Sequence, residues 1–298
     1  MARNTRLQFM PVGDTDSFTP SRQRPVRVRA RALPADTHFQ PHAHAWAQLA
    51  YCATGVVQVT AEQGGNAGGE VTYIVPPSRA VWIAPGARHH VTVLEAAELR
   101  TLYIDASATP TGWEGCRVMV VSPLLRESIH ALDHDPHASL PPEGAVFALG
   151  RPGGKTPPRQ PLSPAREQLL SALVLDEITH ADTQALGVPL PHPQTGDKRL
   201  RALCEAVLGA PAERATLAEW AAGIGASERT VARLFRDELG MSYQQWRQQA
   251  VLAHALPLLA RGTPVSLVAA ASGYASDSAF SAMFKSAMGQ PPSQLQKK

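Results

Sequence analysis

Two arginines, Arg229 and Arg233, lie one helical turn apart in a segment whose apolar residues recur at helical spacing. Val231, Leu234 and Phe235 would form the buried face of such a helix, which leaves both arginines on the outward face. Arginine is the side chain best shaped for bidentate hydrogen bonds to guanine O6 and N7 in the major groove. The pattern therefore predicts base-specific contact with duplex DNA.

The segment that carries these arginines occurs a second time near the C-terminus. Ser227-x-x-Thr230-Val231-x-x-Leu234-Phe235-Arg236-x-x-x-Gly240 is matched by Ser276-x-x-Ala279-Phe280-x-x-Met283-Phe284-Lys285-x-x-x-Gly289, with every element displaced by the same number of positions. Each copy begins with a serine suited to an N-cap and ends with a glycine suited to a C-cap. Each also follows a shorter apolar helix and a glycine turn, so we expect two helix-turn-helix units, at about 216–240 and 264–289.

Paired helices with glycine turns also occur in bundles and solenoids, but the second copy favours DNA binding. The last hundred residues resemble the DNA-binding domain of the AraC/XylS family of transcription regulators. The resemblance rests on TLAEWAAGIGASERTVARLFRDELGMSYQQWRQQ and on GYASDSAFSAMFK with Gly-x-Pro-Pro after it. It implies an all-helical domain at 197–298, with double-stranded operator DNA and RNA polymerase as partners.

The two recognition helices differ in the side chains that they would present to DNA. The candidate contacts are Arg229, Thr230, Ala232, Arg233 and Arg236 in the first helix and Ser278, Ser281, Ala282 and Lys285 in the second. We expect base readout mainly from the first helix, because the second contains no arginine. Arg236 and Lys285 are expected to contact phosphate. The alternative role of Arg236 is a solvated charge or an ion pair with Asp237 or Glu238.

The N-terminal half contains the short β-branched and aromatic runs of an all-β domain. Gly64-Gly65-Asn66 and Gly68-Gly69 indicate a hairpin, and Pro76-Pro77 and Pro85-Gly86 indicate further turns. This pattern predicts a small antiparallel barrel or sandwich at 27–121. Its strands are expected at Gln48 to Tyr51, Val56 to Thr60, Val71 to Val75, Ala80 to Ile83 and Leu99 to Ile104.

Three side chains able to bind a metal, His42, His44 and Gln48, are separated by even numbers of residues in this half. Even spacing places side chains on one face of a strand. Imidazole suits zinc, iron, nickel or copper, whereas a neutral amide is a poorer ligand than a carboxylate. The alternative is that the histidines form hydrogen bonds within the barrel or line an effector pocket that holds no metal.

With Pro85-Gly86 and His89, this spacing resembles the two motifs of the cupins. In these proteins two histidines, a glutamate and a later histidine converge on a metal inside a jelly-roll barrel. Gln48 stands where the glutamate is expected. The resemblance implies a cupin-like sensor barrel and a divalent transition metal (zinc, nickel or iron) held by His42, His44, Gln48 and His89.

Other histidines match neither motif and are expected at the surface or in loops: His38, His90, His130, His134 and His137. Four aromatic residues are expected in the core, with one or two of them lining the cavity: Trp46, Tyr51, Trp82 and Tyr103.

Length and composition allow two buried cores and exclude several classes of protein. The chain has 298 residues, 44% of them hydrophobic, and a formal net charge of +3, which permits nucleic-acid binding without requiring it. Three cysteines without pairing or metal spacing fit a reducing cytoplasm. No apolar stretch suits a signal peptide or a membrane span, and we find no nucleophile elbow, phosphate loop or paired carboxylates.

The segments outside the two domains are an arm and a connector. Residues 1–26 are rich in arginine and predict a basic, flexible arm. The connector, 122–196, contains a helix at 122–132, a flexible Pro/Gly-rich loop at 133–161, a helix at 164–178 and a proline-rich rigid spacer.

Two features of the helices leave alternatives open. An apolar stripe on the second connector helix has two interpretations: it packs on its own barrel, or it joins the same helix of another chain. The stripe consists of Leu169, Leu170, Leu173, Val174 and Ile178. The family resemblance favours a homodimer through this region. Pro257 should kink or end the helix of 243–259 that joins the two units.

The sequence as a whole indicates an α+β multidomain protein: a jelly-roll barrel followed by an all-α DNA-binding domain. We interpret it as a cytoplasmic, sequence-specific transcription regulator that responds to a small molecule or metal bound in the barrel. The first alternative is a metal-dependent cupin enzyme with a DNA-binding appendage. Gln48 argues against that alternative, because redox-active cupins usually have an acidic residue there. The second alternative is an adaptor whose barrel binds nothing.

Overall fold

The computed structural model describes residues 9–12, 15–62, 70–77, 79–133, 162–184, 186–213 and 215–295. Within these ranges the chain forms an N-terminal sheet domain and a C-terminal all-helical domain. No helix in the described ranges is both long enough and apolar enough to cross a membrane.

The sheet domain contains ten described strands in one sheet. They are β1 (Phe9–Met10), β2 (Val26–Leu33), β3 (His38–Phe39), β4 (Ala47–Glu62), β5 (Glu70–Val75), β6 (Arg79–Ile83), β7 (His89–Ile104), β8 (Cys116–Val120), β9 (Thr183–Gln184) and β10 (Gly187–Leu190). The order is β1-β3-β7-β4-β6-β8-β9; in addition, β2 pairs with β7, and β5 pairs with both β4 and β10.

The centre of this sheet is the antiparallel pair of β4 and β7, each of which has sixteen residues. A straight strand of that length would be about 50 Å long. His89 and Tyr103 lie near opposite ends of β7, yet the His44 ring is 5.1 Å from the His89 ring and 6.1 Å from the Tyr103 ring. The long pair must therefore curl back on itself, which rolls the sheet into a barrel-like shape.

The curl coincides with a β-bulge. The register of β4 against β7 shifts three times between Cys52 and Val57, and bulges bend strands and increase their twist. Gly55 lies within the bulge at φ +78°, and a Cβ there would be 2.3 Å from the Ala96 carbonyl oxygen. Only glycine meets both the backbone angle and the close approach.

The strands differ from the sequence prediction in two respects. The two predicted strands at 48–51 and 56–60 form one strand, β4, because the bulge bends the chain without ending it. The predicted rigid spacer is partly a strand, since β10 pairs with β5 and adds the connector to the sheet. Pro189 fits there because proline is tolerated on edge strands. The predicted glycine turns at 64–69 lie outside the described residues.

The helices are α1 (Pro123–Leu132), α2 (Pro164–His180), α3 (Lys198–Gly209), α4 (Leu217–Gly223), α5 (Glu228–Leu239), α6 (Tyr243–Ala260), α7 (Val265–Ala271) and α8 (Asp277–Met288). The predicted units therefore correspond to α4–α5 and α7–α8, with α6 between them. Helix α6 continues past Pro257 to Ala260. The proline lacks only its own N–H bond, and its carbonyl still accepts a hydrogen bond of 3.1 Å from Arg261 N.

Local capping explains where both recognition helices begin and end. Ser227 and Ser276 accept N-terminal hydrogen bonds at the starts of α5 and α8, and Gly240 and Gly289 end these helices in the left-handed conformation. These are the caps that the repeat predicts. Val231 and Phe235 of α5 and Phe280 and Phe284 of α8 are fully buried, so the outward faces predicted from spacing are the exposed ones.

The connector helices pack mainly on their own chain. Val174 and Ile178 of α2 are buried in a cluster with barrel residues and with Leu125 and Ile129 of α1. By contrast, 73% of Leu169 is exposed. The predicted flexible loop lies outside the described residues, except for its first residue, 133.

Part of the arm that we expected to be flexible lies on the barrel. Strand β1 pairs with β3, and Arg24 forms an ion pair of 2.7 Å with Glu167 of α2. These contacts give the described residues of the arm a defined position, although residues 1–8, 13 and 14 lie outside the description.

Replacement of Gly55 tests whether the bulge holds the barrel closed. Gly55→Ala should lower the stability of the sheet domain by roughly 2 kcal/mol or more, since it adds both a clash and a strained φ. The matched control is Gly112→Ala, which has a φ of +76° but open space around the new Cβ and should cost about 1 kcal/mol. Thermal unfolding of the full chain measures both changes, and equal midpoints for the two variants would contradict this account of the bulge.

Candidate functional site

Three histidines, His42, His44 and His89, form a cluster beside the start of β7. One ring nitrogen from each lies within 4.8 Å of those of the other two. His89 is the first residue of β7 and bridges to His42 through two backbone hydrogen bonds of 2.9 Å. His42 and His44 lie before β4 and not on a regular strand. The predicted reason for their proximity, strand alternation, is therefore wrong, and the path of the chain before β4 brings them together.

Each histidine in the cluster is oriented by a main-chain carbonyl. His42 Nδ1 lies 3.0 Å from Gln40 O, His44 Nδ1 lies 2.7 Å from Trp46 O, and His89 Nδ1 lies 2.9 Å from Ala87 O. A carbonyl oxygen can only accept, so each Nδ1 carries its hydrogen and each neutral ring presents a lone pair at Nε2. Metal-binding histidines are commonly fixed in this way.

Gln48 extends the cluster to a fourth side chain. Its Oε1 atom lies 3.0 Å from His44 Nε2, and the residue is only 4% exposed. Because His44 donates through Nδ1, this contact places two lone pairs opposite each other. Either a cation between the two atoms or a rotated amide that donates to His44 relieves the repulsion.

The surroundings of His42 and His89 favour the uncharged imidazole. Burial lowers the pKa of His89 to about 3, and it also lowers the pKa of His42. In addition, His89 Nε2 is buried without a hydrogen-bond partner among the described residues. A neutral ring with a free, buried lone pair is the state in which histidine binds a metal.

Aromatic rings form one wall of the cluster. Trp46 stacks on His44 with a centroid distance of 5.2 Å and an interplanar angle of 7°, and Tyr103 meets the His44 ring edge-on at 6.1 Å. Tyr51 and Trp82 are buried in the core. Trp46 and Tyr103 are therefore the two of these four aromatic residues whose rings contact His44, and the position of Trp46 inside the histidine motif was the available signal.

The other histidines considered in the sequence analysis do not join the cluster where the structure describes them. His38 lies on β3 and contacts Thr92 at 3.2 Å, His90 lies on β7 next to His89, and His130 lies on α1. His134 and His137 lie outside the described residues.

The first recognition helix, α5, presents three basic side chains to solvent. Arg229, Arg233 and Arg236 are exposed, and within the described part of the chain none of them has an ion-pair or hydrogen-bond partner. The alternative ion pair of Arg236 with Asp237 or Glu238 is accordingly not formed. Ala232 is partly exposed, and the Thr230 hydroxyl lies 2.8 Å from the capping hydroxyl of Ser227.

The second recognition helix, α8, presents shorter side chains. Ser278, Ala282 and Lys285 are exposed, and Ser281 is partly exposed. Lys285 supplies the basic charge of the last turn of α8. All nine predicted DNA contacts thus lie on the exposed or half-exposed faces of α5 and α8. These faces are not the ones packed against the barrel.

A cleft of about 730 Å³ separates the sheet domain from the C-terminal end of α5. Tyr73 and Val118 line the barrel side, Leu186 and Pro189 line the connector side, and Met241 lines the helical side. The histidine cluster lies elsewhere, at the start of β7.

The arrangement of a cupin-like sheet domain and two helix-turn-helix units defines a DNA-binding regulator with a ligand-binding domain. Family models agree with this class: residues 24–149 match the AraC-like ligand binding domain, and residues 220–298 match a helix-turn-helix domain.

Individual proteins are similar over the same regions. The HTH-type transcriptional regulator NimR of Escherichia coli (strain K12) is 34% identical over 254 residues, which cover 84% of this chain and 80% of NimR. The HTH-type transcriptional regulator RipA of Corynebacterium glutamicum is 33% identical over 105 residues, or 35% of this chain and 30% of RipA. The chain therefore belongs to the AraC family of transcription regulators.

Solved structures include similar chains as well. A DNA-binding transcriptional dual regulator from Escherichia coli K-12 is 26% identical, with a TM-score of 0.31, and the match covers 34% of this chain and 90% of that one. ToxT from Vibrio cholerae is 12% identical, with a TM-score of 0.34, and the match covers 91% of this chain and 96% of ToxT.

Proposed function

We propose that this transcription regulator recognises its operator mainly through α5 and that its barrel responds to a divalent metal, or to a small molecule held by that metal, at the histidine cluster. The observation that supports the first part is the row of exposed guanidinium groups on α5, which have no partner among the described residues and have no counterpart on α8. The observation that supports the second part is the set of three clustered histidines, each fixed at Nδ1 by a main-chain carbonyl, beside Gln48.

Operator recognition by this proposal divides between the two units. Arg229 and Arg233 contact base edges, since each guanidinium can donate two parallel hydrogen bonds to a guanine. Arg236 and Lys285 contact phosphates, while Ser278 and Ser281 add short hydrogen bonds without strong selectivity. Thr230 and Ala232 lie between the arginines and limit how closely α5 approaches the groove.

The metal proposal rests on the chemistry of the side chains. Three imidazoles and an amide oxygen suit zinc, nickel or iron. His42, His44 and His89 would hold the ion, with Gln48 as a weaker fourth ligand. When bound, the ion would offer a coordination position to an effector that carries an oxygen or nitrogen donor. The proposal assigns no catalytic role to the barrel.

The proposed partners are operator DNA, an effector and a second copy of this chain, and the proposed location is the cytoplasm, where chromosomal DNA is accessible. A homodimer is supported by the apolar side chains that α1 and α2 leave exposed, with Leu124 50% exposed and Leu169 73% exposed. Sedimentation of the full chain at several concentrations measures this association directly.

Arginine replacement tests base readout. Operator fragments are first selected from genomic DNA with the purified full chain. Arg233→Ala should then weaken binding to the selected operator by about 1–3 kcal/mol while binding to a scrambled sequence changes little, because only the operator offers the matching guanine. Lys285→Ala is the control: it should weaken binding to both sequences alike and reduce the salt slope by about one. Equal losses on both sequences for Arg233→Ala would rule out base readout by this side chain.

Metal analysis tests the cluster. Untagged protein incubated with zinc and then desalted should retain about one ion per chain, measured by mass spectrometry. His89→Gln should reduce affinity about tenfold or more, whereas His38→Gln, which changes a barrel histidine outside the cluster, should not. Gln48→Glu should tighten binding, since it supplies a carboxylate. Zinc, nickel and iron contents all near zero in the unaltered protein would refute the metal site and leave the hydrogen-bonded alternative.

A further inference from the structure

Strand β6 connects the site in the barrel with the DNA-binding domain. It has five residues, all buried, and lies between β4 and β8. Its last residue, Ile83, pairs with Gln48, and the turn that follows donates a hydrogen bond of 2.9 Å from Gly86 N to His44 O. Its first residue is Arg79. About 13 Å of extended chain thus separates Arg79 from Ile83, the residue that pairs with Gln48 beside the histidine cluster.

The side chain of Arg79 leaves the barrel and contacts α8. Arg79 Nη2 donates a hydrogen bond of 2.7 Å to the carbonyl of Met288, the last residue of that helix. The carbonyls of the final turn lack partners within a helix and form the negative end of its dipole. A guanidinium is therefore well placed to bind there.

The burial of Arg79 makes this contact costly to lose. The residue is only 4% exposed, and burial lowers the pKa of its guanidinium. A buried charge whose partner is removed is strongly unfavourable. Arg261 also contacts the barrel, at the Glu95 carboxylate and the Leu94 carbonyl, but about half of its side chain is exposed, so this ion pair contributes less.

Apolar packing makes the junction continuous. Leu252, Leu256 and Leu259 of α6 and Phe284 of α8 belong to the same buried cluster as barrel residues such as Val59. This docking leaves Ser278, Ala282 and Lys285 exposed. The barrel thus holds the inner side of the second unit while its DNA-facing side stays accessible.

We infer that Arg79 is a positioning residue for operator recognition: it fixes the orientation of α8 and, through β6, couples that orientation to the occupancy of the histidine cluster. The coupling rests on the proposed function of the barrel. An ion bound by His44 and Gln48 acts on β6 at two points: Gln48 pairs with Ile83, and the His44 carbonyl accepts a hydrogen bond from Gly86 in the turn that follows. A short buried strand transmits a displacement of one end to the other because packed interiors yield little. The effect requires that the ion bind the two arrangements of α8 with different affinity.

Footprinting of the full chain on a selected operator tests the positioning role. The wild-type protein should protect two adjacent major-groove segments. Arg79→Met should protect the α5 segment and lose most protection of the α8 segment, with overall affinity about ten- to a hundredfold weaker. Arg79→Lys keeps the charge and should give intermediate protection of the α8 segment.

The matched control is Arg201→Met. Arg201 also donates a hydrogen bond of 2.7 Å to a main-chain carbonyl, that of Pro191, but this contact does not reach the core of the barrel. Its loss should leave the ratio of protection between the two segments unchanged. Circular dichroism confirms that each variant is folded.

The effect of zinc on operator affinity distinguishes coupling from a merely structural role of Arg79, because a structural role alone would leave that effect unchanged. Wild-type affinity for the operator should differ about fivefold or more between zinc-loaded and chelator-treated protein. In Arg79→Met this difference should vanish while the zinc content stays the same. A folded Arg79→Met that protects both segments and responds to zinc like the wild type would overturn the inference. A wild-type chain that selects no discrete site would refute operator recognition itself, whereas a zinc content near zero would refute the metal site and the coupling.

Discussion

The curl of the β4 and β7 pair is the constraint on which the rest of the structure depends. Without it, His89 and Tyr103 would lie at distant ends of one strand, and the histidine cluster would not exist. The bulge at Gly55 permits the curl, because no other residue can approach the Ala96 carbonyl so closely at a positive φ. A feature in the middle of the strand pair thus assembles a site at its ends.

The barrel also organises the DNA-binding domain, because the two domains share buried structure. Strand β10 extends the sheet through β5, and Trp246 of α6 donates a hydrogen bond of 2.8 Å to the carbonyl of Pro189 in that strand. The second unit packs into the barrel core directly and receives Arg79. The first unit is therefore held through the connector, while the second is held by the sheet itself.

This division fits the different chemistry of the two recognition helices. Helix α5 carries the exposed arginines suited to reading bases and has few direct contacts with the barrel, whereas α8 carries small polar residues and ends against a buried barrel arginine. A helix that contributes little selectivity can change its orientation without altering which sequence is chosen. Such a change would alter affinity instead, which is what a ligand-responsive regulator needs.

The sequence alone determined the features that depend on local spacing. Serine and glycine caps at 227, 240, 276 and 289 delimit both recognition helices, and helical periodicity identifies the exposed Arg229 and Arg233, because a helix forms and ends through contacts a few residues apart. Tertiary structure alone decided what depends on contacts between distant segments. Three features involve partners that are far apart in the chain. They are the merging of two predicted strands into β4, the addition of β10 to the sheet and the burial of Arg79 against Met288. No local pattern encodes such pairings, since their register and burial are set by the closure of the barrel and the docking of the helices upon it.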